Sequence, residues 1–274
     1  MKILIATDME GITGVTTWDH VTPGHAEYSR FRRLMTHDVN AAIRGVVEAG
    51  ADEVVVADGH WNGSNILVEE LDPRARLNTG SPSPLSMMQG IGEDVDGVIF
   101  LGYHARNGTP RAILDHTWSS KTVANIWLNE MLTGEYGLNA AVAGYFGVPI
   151  IMVTGDQTAC AQVDELLGDV EKAVVKQASG RYAAECLAPQ VTQELIFETA
   201  MRAMNRLGVG DVPAPFVVDA PMRITVEFFT SDMADRAALA LATKRDGTRV
   251  TVSAPEMISA YRGFRAMVTL ALGG

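Results

Sequence analysis

Four short apolar runs, separated by segments of helical spacing, constrain the fold of this 274-residue chain most strongly. The runs occupy residues 3–6, 54–57, 98–101 and 148–153. Uninterrupted apolar runs of this length, rich in branched side chains, are typical of parallel strands buried on both faces. Between the first two runs, residues 27–49 place apolar side chains at near-helical spacing, and Gly50 is a common helix-end signal. The alternation predicts an α/β fold with a parallel-sheet core and helices on both faces.

The later part of the chain predicts a hairpin and a smaller C-terminal portion. Residues 123–133 have the pattern of a hairpin, and residues 135–146 that of a short helix. A Gly- and Pro-rich connection around residue 212 separates an α/β domain, 1–212, from an α+β portion, 213–274, unless the two form one continuous domain. Beyond the connection we expect a strand, a helix, a strand and a final helix. These segments are residues 223–229, 232–243, 248–254 and from 255 onward.

Composition and missing motifs exclude several classes of function. The net charge of −11 argues against nucleic acid as a partner, because such surfaces need a basic footprint. No apolar run approaches the length of a membrane span, and the N-terminus does not have the pattern of a signal peptide. The chain has no GxxxxGK[ST] loop, no GxGxxG after a strand, no HExxH and no GxSxG. We therefore expect a cytoplasmic protein without membrane or nucleic-acid partners, and not a nucleotide hydrolase or a serine hydrolase.

Acidic and histidine side chains follow the predicted strands at the point where each strand ends. Asp8 and Glu10 follow the first strand, His60 the second, His104 the third and Asp156 the fourth. A single carboxylate or histidine in such a place is usually a turn or cap residue. Ligands of open α/β sheets bind beyond the carboxyl ends of the strands, and Asp, Glu and His together are the side chains that bind zinc or manganese. The pattern favours a metal site in the 1–212 domain.

The other histidines are less informative. His116 lies on the loop that leaves the third strand. His20 and His25 lie on the loop after the first strand, where we expect solvent-exposed residues. His37 lies inside the first predicted helix and is expected on its surface.

Several motifs, met in a fixed order, identify a known family. They are DMEGI at 8–12, DGH at 58–60, LGYHAR at 101–106, a histidine at 116, GEYGLNA at 134–140, AGYFGVPIIMVTGD at 143–156 and AVVKQ at 173–177. Together they resemble the D-aminopeptidase family of the bacterial dipeptide-transport operon, the DppA-type zinc peptidases. The similarity runs from the first strand to the last helix.

The resemblance implies two zinc ions per chain, at a site that could also accept Mn²⁺ or Co²⁺. Asp8 would bridge both ions, Glu10 and His60 would complete the first site, and His104 and Glu135 would complete the second. Taken alone, Glu135 is an acidic residue in the first turn of a helix, where the helix dipole favours a carboxylate. Its assignment as a ligand therefore comes from the resemblance.

The resemblance also implies a catalytic role for His116, beside the metals and not as a ligand. The implied activity is that of a metallo-aminopeptidase, a hydrolase acting on short peptides with a free N-terminus, possibly D-amino-acid peptides. The family further implies a ring-like homo-oligomer whose active sites face an inner channel.

Two alternatives stay open. One is another dinuclear metallohydrolase, an amidase or a phosphoesterase, for which Arg106 and Arg111 are candidate phosphate ligands. The other is a non-catalytic metal- or peptide-binding protein, which would have no need for His116. The presence of His116 therefore favours an enzyme.

Overall fold

A computed structural model describes residues 1–273 of the chain as two sheets flanked by helices. The strands are β1 Lys2–Thr7, β2 Glu53–Asp58, β3 Ala75–Asn78, β4 Gly97–Tyr103, β5 Val123–Leu128, β6 Met131–Thr133, β7 Ile150–Asp156, β8 Glu171–Gly180, β9 Ala183–Cys186, β10 Met222–Phe228, β11 Thr243–Asp246 and β12 Arg249–Ala254. The helices are α1 Trp18–Val21, α2 Tyr28–Glu48, α3 Glu135–Tyr145, α4 Gln157–Leu167, α5 Pro189–Gly208, α6 Ser231–Ala237 and α7 Met257–Leu272.

The larger sheet contains all four strands expected from the apolar runs. Its order is β3-β2-β1-β4-β7-β8-β9, and every pair is parallel except β8 with β9. The chain moves from β1 outward to β2 and β3, and then returns to place β4 on the other side of β1. This reversal of strand order leaves a crevice at the carboxyl ends of β1 and β4, which is where open α/β sheets bind ligands.

Helices cover both faces of this sheet, and the alternation of side chains along β1 shows why. Ile3 and Ile5 belong to an apolar cluster that includes the buried side chains of α2 and α5. Leu4 and Ala6 belong to a second cluster, which includes α3, α4 and α7. Because successive strand side chains point to opposite faces, a strand that is apolar at every position needs a cover on each side. The predicted fold class is confirmed.

The smaller sheet is antiparallel, with the order β11-β12-β10-β5-β6. The predicted hairpin is present as β5 and β6, and it pairs with β10, so the sheet takes strands from both sides of residue 212. The predicted helix over 232–243 was too long: α6 ends at Ala237, because Thr243 begins β11 and pairs with Val252 of β12. The division of the chain at residue 212 stays a prediction. Within residues 1–273, no helix combines the length and apolar character needed to cross a membrane.

Candidate metal centre

The structure brings the six predicted site residues together beyond the carboxyl ends of β1 and β4. Asp8 and Glu10 follow β1, which lies between β2 and β4 in the sheet. His60 follows β2 and His104 follows β4, so both imidazoles flank the end of β1. The first residue of α3 and the loop after β4 supply the other two side chains, Glu135 and His116. All six side chains are buried.

Two glycines allow the segment that carries Asp8 and Glu10 to cross closely over the end of β4. The amide of Asp8 donates to the Leu101 carbonyl, and the amide of Gly11 donates to the Gly102 carbonyl, both at 2.8 Å. A Cβ on Gly11 would collide with the backbone of Tyr103, and one on Gly102 would collide with the Asp8 carbonyl. Gly102 also has a φ of +74°, which glycine adopts without strain. The glycines of the DMEGI and LGYHAR motifs therefore hold Asp8 close to His104.

We call Asp8, Glu10 and His60 the first cluster. The Nδ1 atom of His60 lies 3.2 Å from Asp8 Oδ1 and 3.2 Å from Glu10 Oε2. The ligand atoms of these three residues lie within 4.8 Å of one another, a spacing that one metal ion can span. Two carboxylates and an imidazole converging on one point form a donor set that suits zinc.

We call His104, His116 and Glu135 the second cluster. The Nε2 atom of His104 lies 3.0 Å from Glu135 Oε1 and 3.3 Å from Asp8 Oδ2. Asp8 thus turns one carboxylate oxygen toward each cluster. His116 stacks on His104 with ring centroids 3.9 Å apart, and its Nε2 atom lies 3.9 Å from the nearest oxygens of Glu10 and Glu135.

Backbone carbonyls determine which nitrogen of each imidazole faces the carboxylates. The Nε2–H of His60 donates to the Val21 carbonyl, at 2.8 Å. The Nδ1–H groups of His104 and His116 donate to carbonyls, at 3.0 and 2.8 Å. A carbonyl can only accept, so in the neutral imidazoles the lone pairs are on the nitrogens that face the carboxylates.

A lone pair directed at carboxylate oxygens is repelled unless a cation lies between them. Two of the atoms concerned, Glu10 Oε2 and His104 Nε2, are buried and have no hydrogen-bond partner among residues 1–273. Anchoring one imidazole nitrogen on a carbonyl while the other faces anionic ligands is the usual arrangement of metal-binding histidines. The two clusters therefore fit metal ions such as zinc.

The pKa shifts reflect the same crowding of charge. Burial alone would lower the pKa of His60 and of His104, but the neighbouring carboxylates raise both pKa values well above the usual range. Burial and the adjacent charge of Asp8 raise the pKa of Glu10. Burial, together with the charge of His104, holds the pKa of His116 well below its usual range. His116 is therefore a neutral imidazole at neutral pH.

The location of the Glu135 side chain is set by contacts that form only in the folded chain. Its Oε1 atom accepts a hydrogen bond from the amide of Trp118, at 2.6 Å. The indole of Trp118 packs edge-on against Tyr261 and Phe264 of α7. Reasoning from residue types alone missed Glu135, because only its fold neighbours distinguish it from an ordinary acidic residue at the start of a helix.

Asp156, whose role the sequence left open, is a cap and a loop anchor. Its Oδ1 atom accepts the amides of Thr158 and Ala159 in the first turn of α4. Its Oδ2 atom accepts the amide of Ile113, at 2.7 Å, on the loop that carries His116. Asp156 therefore supports His116 through the backbone and makes no contact with the two clusters.

The remaining histidines lie outside the two clusters. His25 is exposed, as predicted, and His37 is partly exposed on the surface of α2. His20 is half-buried, contrary to the expectation of an exposed loop residue, because its ring stacks on Phe31 with centroids 3.8 Å apart. Its Nδ1 atom accepts the amide of Thr16. His20 is a packing residue.

Comparisons with known proteins agree with this geometry over the whole chain. A family profile described as D-aminopeptidase matches residues 1–266. A D-aminopeptidase of Bacillus subtilis (strain 168) is 37% identical over 275 residues, which cover 99% of this chain and 98% of the relative. The solved structure of a Zn-dependent D-aminopeptidase DppA from Bacillus subtilis, a self-compartmentalizing protease, is similar with a TM-score of 0.96 and 36% identity. That likeness covers 100% of this chain and 99% of the other. The resemblance predicted from the motifs is confirmed, and the chain belongs to the D-aminopeptidase family.

Proposed function

We propose that this chain is a zinc-dependent aminopeptidase that hydrolyses short peptides with a free N-terminus, D-amino-acid peptides among them. Its membership of the D-aminopeptidase family confirms the predicted enzyme class, a metallo-aminopeptidase. The observation that carries the proposal is the pair of buried clusters joined by Asp8, in which one ring nitrogen of His60 and one of His104 face carboxylate oxygens.

We further propose two zinc ions per chain, one at each cluster. Asp8 would contact both ions, because its two oxygens face different imidazoles, those of His60 and His104. Glu10 and His60 would complete one site, and His104 with Glu135 would complete the other. When bound, such ions polarise a carbonyl and lower the pKa of water. The same oxygen- and nitrogen-rich donor set would also accept Mn²⁺ or Co²⁺.

His116 is proposed as the catalytic residue that moves a proton. Its Nε2 atom lies 3.9 Å from oxygens of both clusters, farther than the nitrogens of His60 and His104 lie from theirs. Its lowered pKa keeps it neutral, so it can accept a proton and later return it to the departing amine. The Leu114 carbonyl holds the opposite nitrogen and so orients the ring. Trp18 packs edge-on against the ring, with centroids 5.3 Å apart.

A hydrolysis screen with metal analysis on the same sample tests this function. We expect about two zinc equivalents per chain and turnover of D- or L-dipeptides that chelation abolishes. The N-acetylated form of the best dipeptide is the matched control and should be a poor substrate. Full peptidase activity with less than about one equivalent of transition metal would refute the metal mechanism.

The screen also separates the rival functions. Equal turnover of the free and acetylated dipeptides would favour an amidase. The phosphoesterase alternative relied on Arg106 and Arg111 as candidate phosphate ligands. Among residues 1–273, neither side chain makes an ion pair with the six site residues, and Arg111 is exposed. Inclusion of a phosphate monoester in the screen would reveal a phosphoesterase. Metal binding without any turnover would favour a non-catalytic binding protein.

We also propose that the chain is a cytoplasmic protein that forms a ring-like homo-oligomer. The solved relative is called self-compartmentalizing, which supports an assembly of copies. The chain also exposes large apolar side chains at Leu239, Leu241 and Leu272, two of them at 76% and 90%. Light scattering on the purified protein tests the assembly, since a monomer at micromolar concentration would refute it. Cell fractionation tests the location.

A further inference from the structure

A buried lysine outside the six site residues is bound to the segment that presents the first cluster. Lys176 lies in β8 opposite Asp156 and is only 1% exposed. Its Nζ atom donates to three carbonyls, those of Glu10, Ile12 and Val15, at 2.6, 2.8 and 2.8 Å. An ammonium has three hydrogens, so these bonds satisfy all of its donors.

All three acceptors belong to the single segment of residues 8–15. This segment begins at Asp8, carries Glu10 and crosses the end of β4. Lys176 reaches it from β8, three strands away from β1 in the sheet order. The ammonium therefore fixes the backbone of the residue whose carboxylate faces His60.

A second buried tether holds the same segment at Thr13. The Asp38 carboxylate accepts the amide and the hydroxyl of Thr13, both at 3.0 Å. The Thr13 hydroxyl also contacts Thr192 of α5, at 2.8 Å. Segment 8–15 is thus held from three separate elements, α2, α5 and β8, and the lysine is the tether that reaches Glu10 itself.

Burying an ammonium is unfavourable unless its hydrogen bonds are satisfied. None of the three acceptors of Lys176 is a carboxylate, so the residue is not one half of a salt bridge. Burial lowers the pKa of Lys176 to about 8, and the charges of Asp156, Asp38 and Glu10 oppose this shift. If the side chain at position 176 served only to fill space, a methionine would be sufficient, because it has a similar volume and carries no charge that must be buried.

We propose that Lys176 is a positioning residue for the first cluster, holding segment 8–15 so that Asp8 and Glu10 meet His60 in a metal-binding geometry. This inference rests on the proposed metal function. It assigns a role to the AVVKQ motif, which none of the six site residues explains.

The test measures zinc affinity by chelator competition, together with the absorption spectrum of the Co²⁺-substituted protein, which reports coordination geometry. Lys176→Met should remain folded, lose about 10–100-fold in zinc affinity, and change the Co²⁺ spectrum. Lys172→Met is the matched control: it removes the same charge from the same strand, at a partly exposed side chain paired with Asp164. A core variant, Ile196→Ala, controls for lost stability and should keep the wild-type zinc affinity.

The outcomes separate this inference from the function on which it rests. A folded Lys176→Met protein with the affinity and spectrum of the wild type overturns the role of Lys176 alone. If that variant does not fold, Lys176→Gln, which keeps two N–H donors, decides by the same measurements. A wild-type protein that binds no zinc overturns the proposed metal function and this inference together.

Discussion

The two clusters are built in different ways, although Asp8 of the first cluster turns one carboxylate oxygen toward each of them. The first cluster comes from the ends of neighbouring parallel strands, β1 and β2, whose pairing sets the distance between them. The second combines the end of β4, a long loop and the first residue of α3. The ends of strands can be predicted from a sequence, whereas the paths of loops cannot. The difference explains why Asp8, Glu10 and His60 could be found from residue types, whereas Glu135 could not.

The supports of the two clusters differ as well. The first is held by buried polar tethers from β8 and α2 to segment 8–15. The second is held by the amide of Trp118, whose indole packs on the aromatic side chains of α7. The first cluster therefore depends on the parallel sheet and its helices, and the second depends also on the C-terminal portion of the chain. The following variants separate these dependencies.

The largest effect is expected from the shared carboxylate. Asp8→Ala should lose most of both metal ions and all activity, because the remaining ligands would face two cations with less negative charge between them. Glu135→Ala removes a proposed ligand from the second cluster alone and should keep about one equivalent of zinc. Metal counts on the two proteins decide the point. The exposed carboxylate variant Asp94→Ala is the control, and equal losses in Asp8→Ala and Glu135→Ala would argue that Asp8 does not bridge.

The next largest effect is expected at His116, whose Nε2 atom lies 3.9 Å from Glu10 of the first cluster and from Glu135 of its own cluster. His116→Ala should fold, keep both metal ions and lose about 10²–10⁴-fold in kcat, because the variant lacks the proposed proton-transfer group. The measurement is steady-state turnover with metal content determined on the same sample. The control is His37→Ala, at a partly exposed histidine on α2, and its turnover should be unaffected. Near-normal turnover in a metal-replete His116→Ala protein would show that His116 is an ordinary loop residue without a catalytic role.

A smaller effect should distinguish the supports of the clusters. Trp118→Ala keeps the amide that binds Glu135 but removes the indole that holds it against α7, so the second cluster should lose about 10–100-fold in zinc affinity. Two-step chelator competition should show the first cluster unchanged. Trp127→Ala is the control, because that indole packs under Arg249 on the small sheet. Equal weakening of both ions by Trp118→Ala would contradict the separate supports.

The smallest effect, measured per pH unit, is a pH dependence common to both clusters. The pKa values of His60 and His104 are raised in the metal-free chain, so these imidazoles hold protons that metal must displace. Zinc affinity should therefore fall as pH decreases, by about tenfold per pH unit for each proton displaced. Titration calorimetry in buffers of different ionisation enthalpy measures the released protons. An affinity that stays constant between about pH 6 and pH 8 would show that the metal-free imidazoles carry no protons.

Much of this molecule could be predicted from local patterns. Apolar runs identified β1, β2, β4 and β7 because a strand buried on both faces leaves no polar positions. The hairpin of β5 and β6 was likewise visible. The helix over 232–243 was overextended because the pairing of β11 with β12, which ends it, involves residues that the local helical pattern does not reveal. The residues at strand ends could be predicted because the carboxyl ends of parallel strands lie at one edge of a sheet.

Residue patterns were enough to predict the class of fold, the polar residues at the strand ends and the family to which the chain belongs. They did not reveal that β1 lies between β2 and β4, which brings His60 and His104 to opposite sides of Asp8. Nor did they reveal which nitrogen each histidine presents, or that Lys176 reaches the carbonyl of Glu10. Helical and strand periods act over neighbouring residues, whereas strand order and buried hydrogen bonds join groups far apart in the chain. Those contacts form only when the whole core is packed.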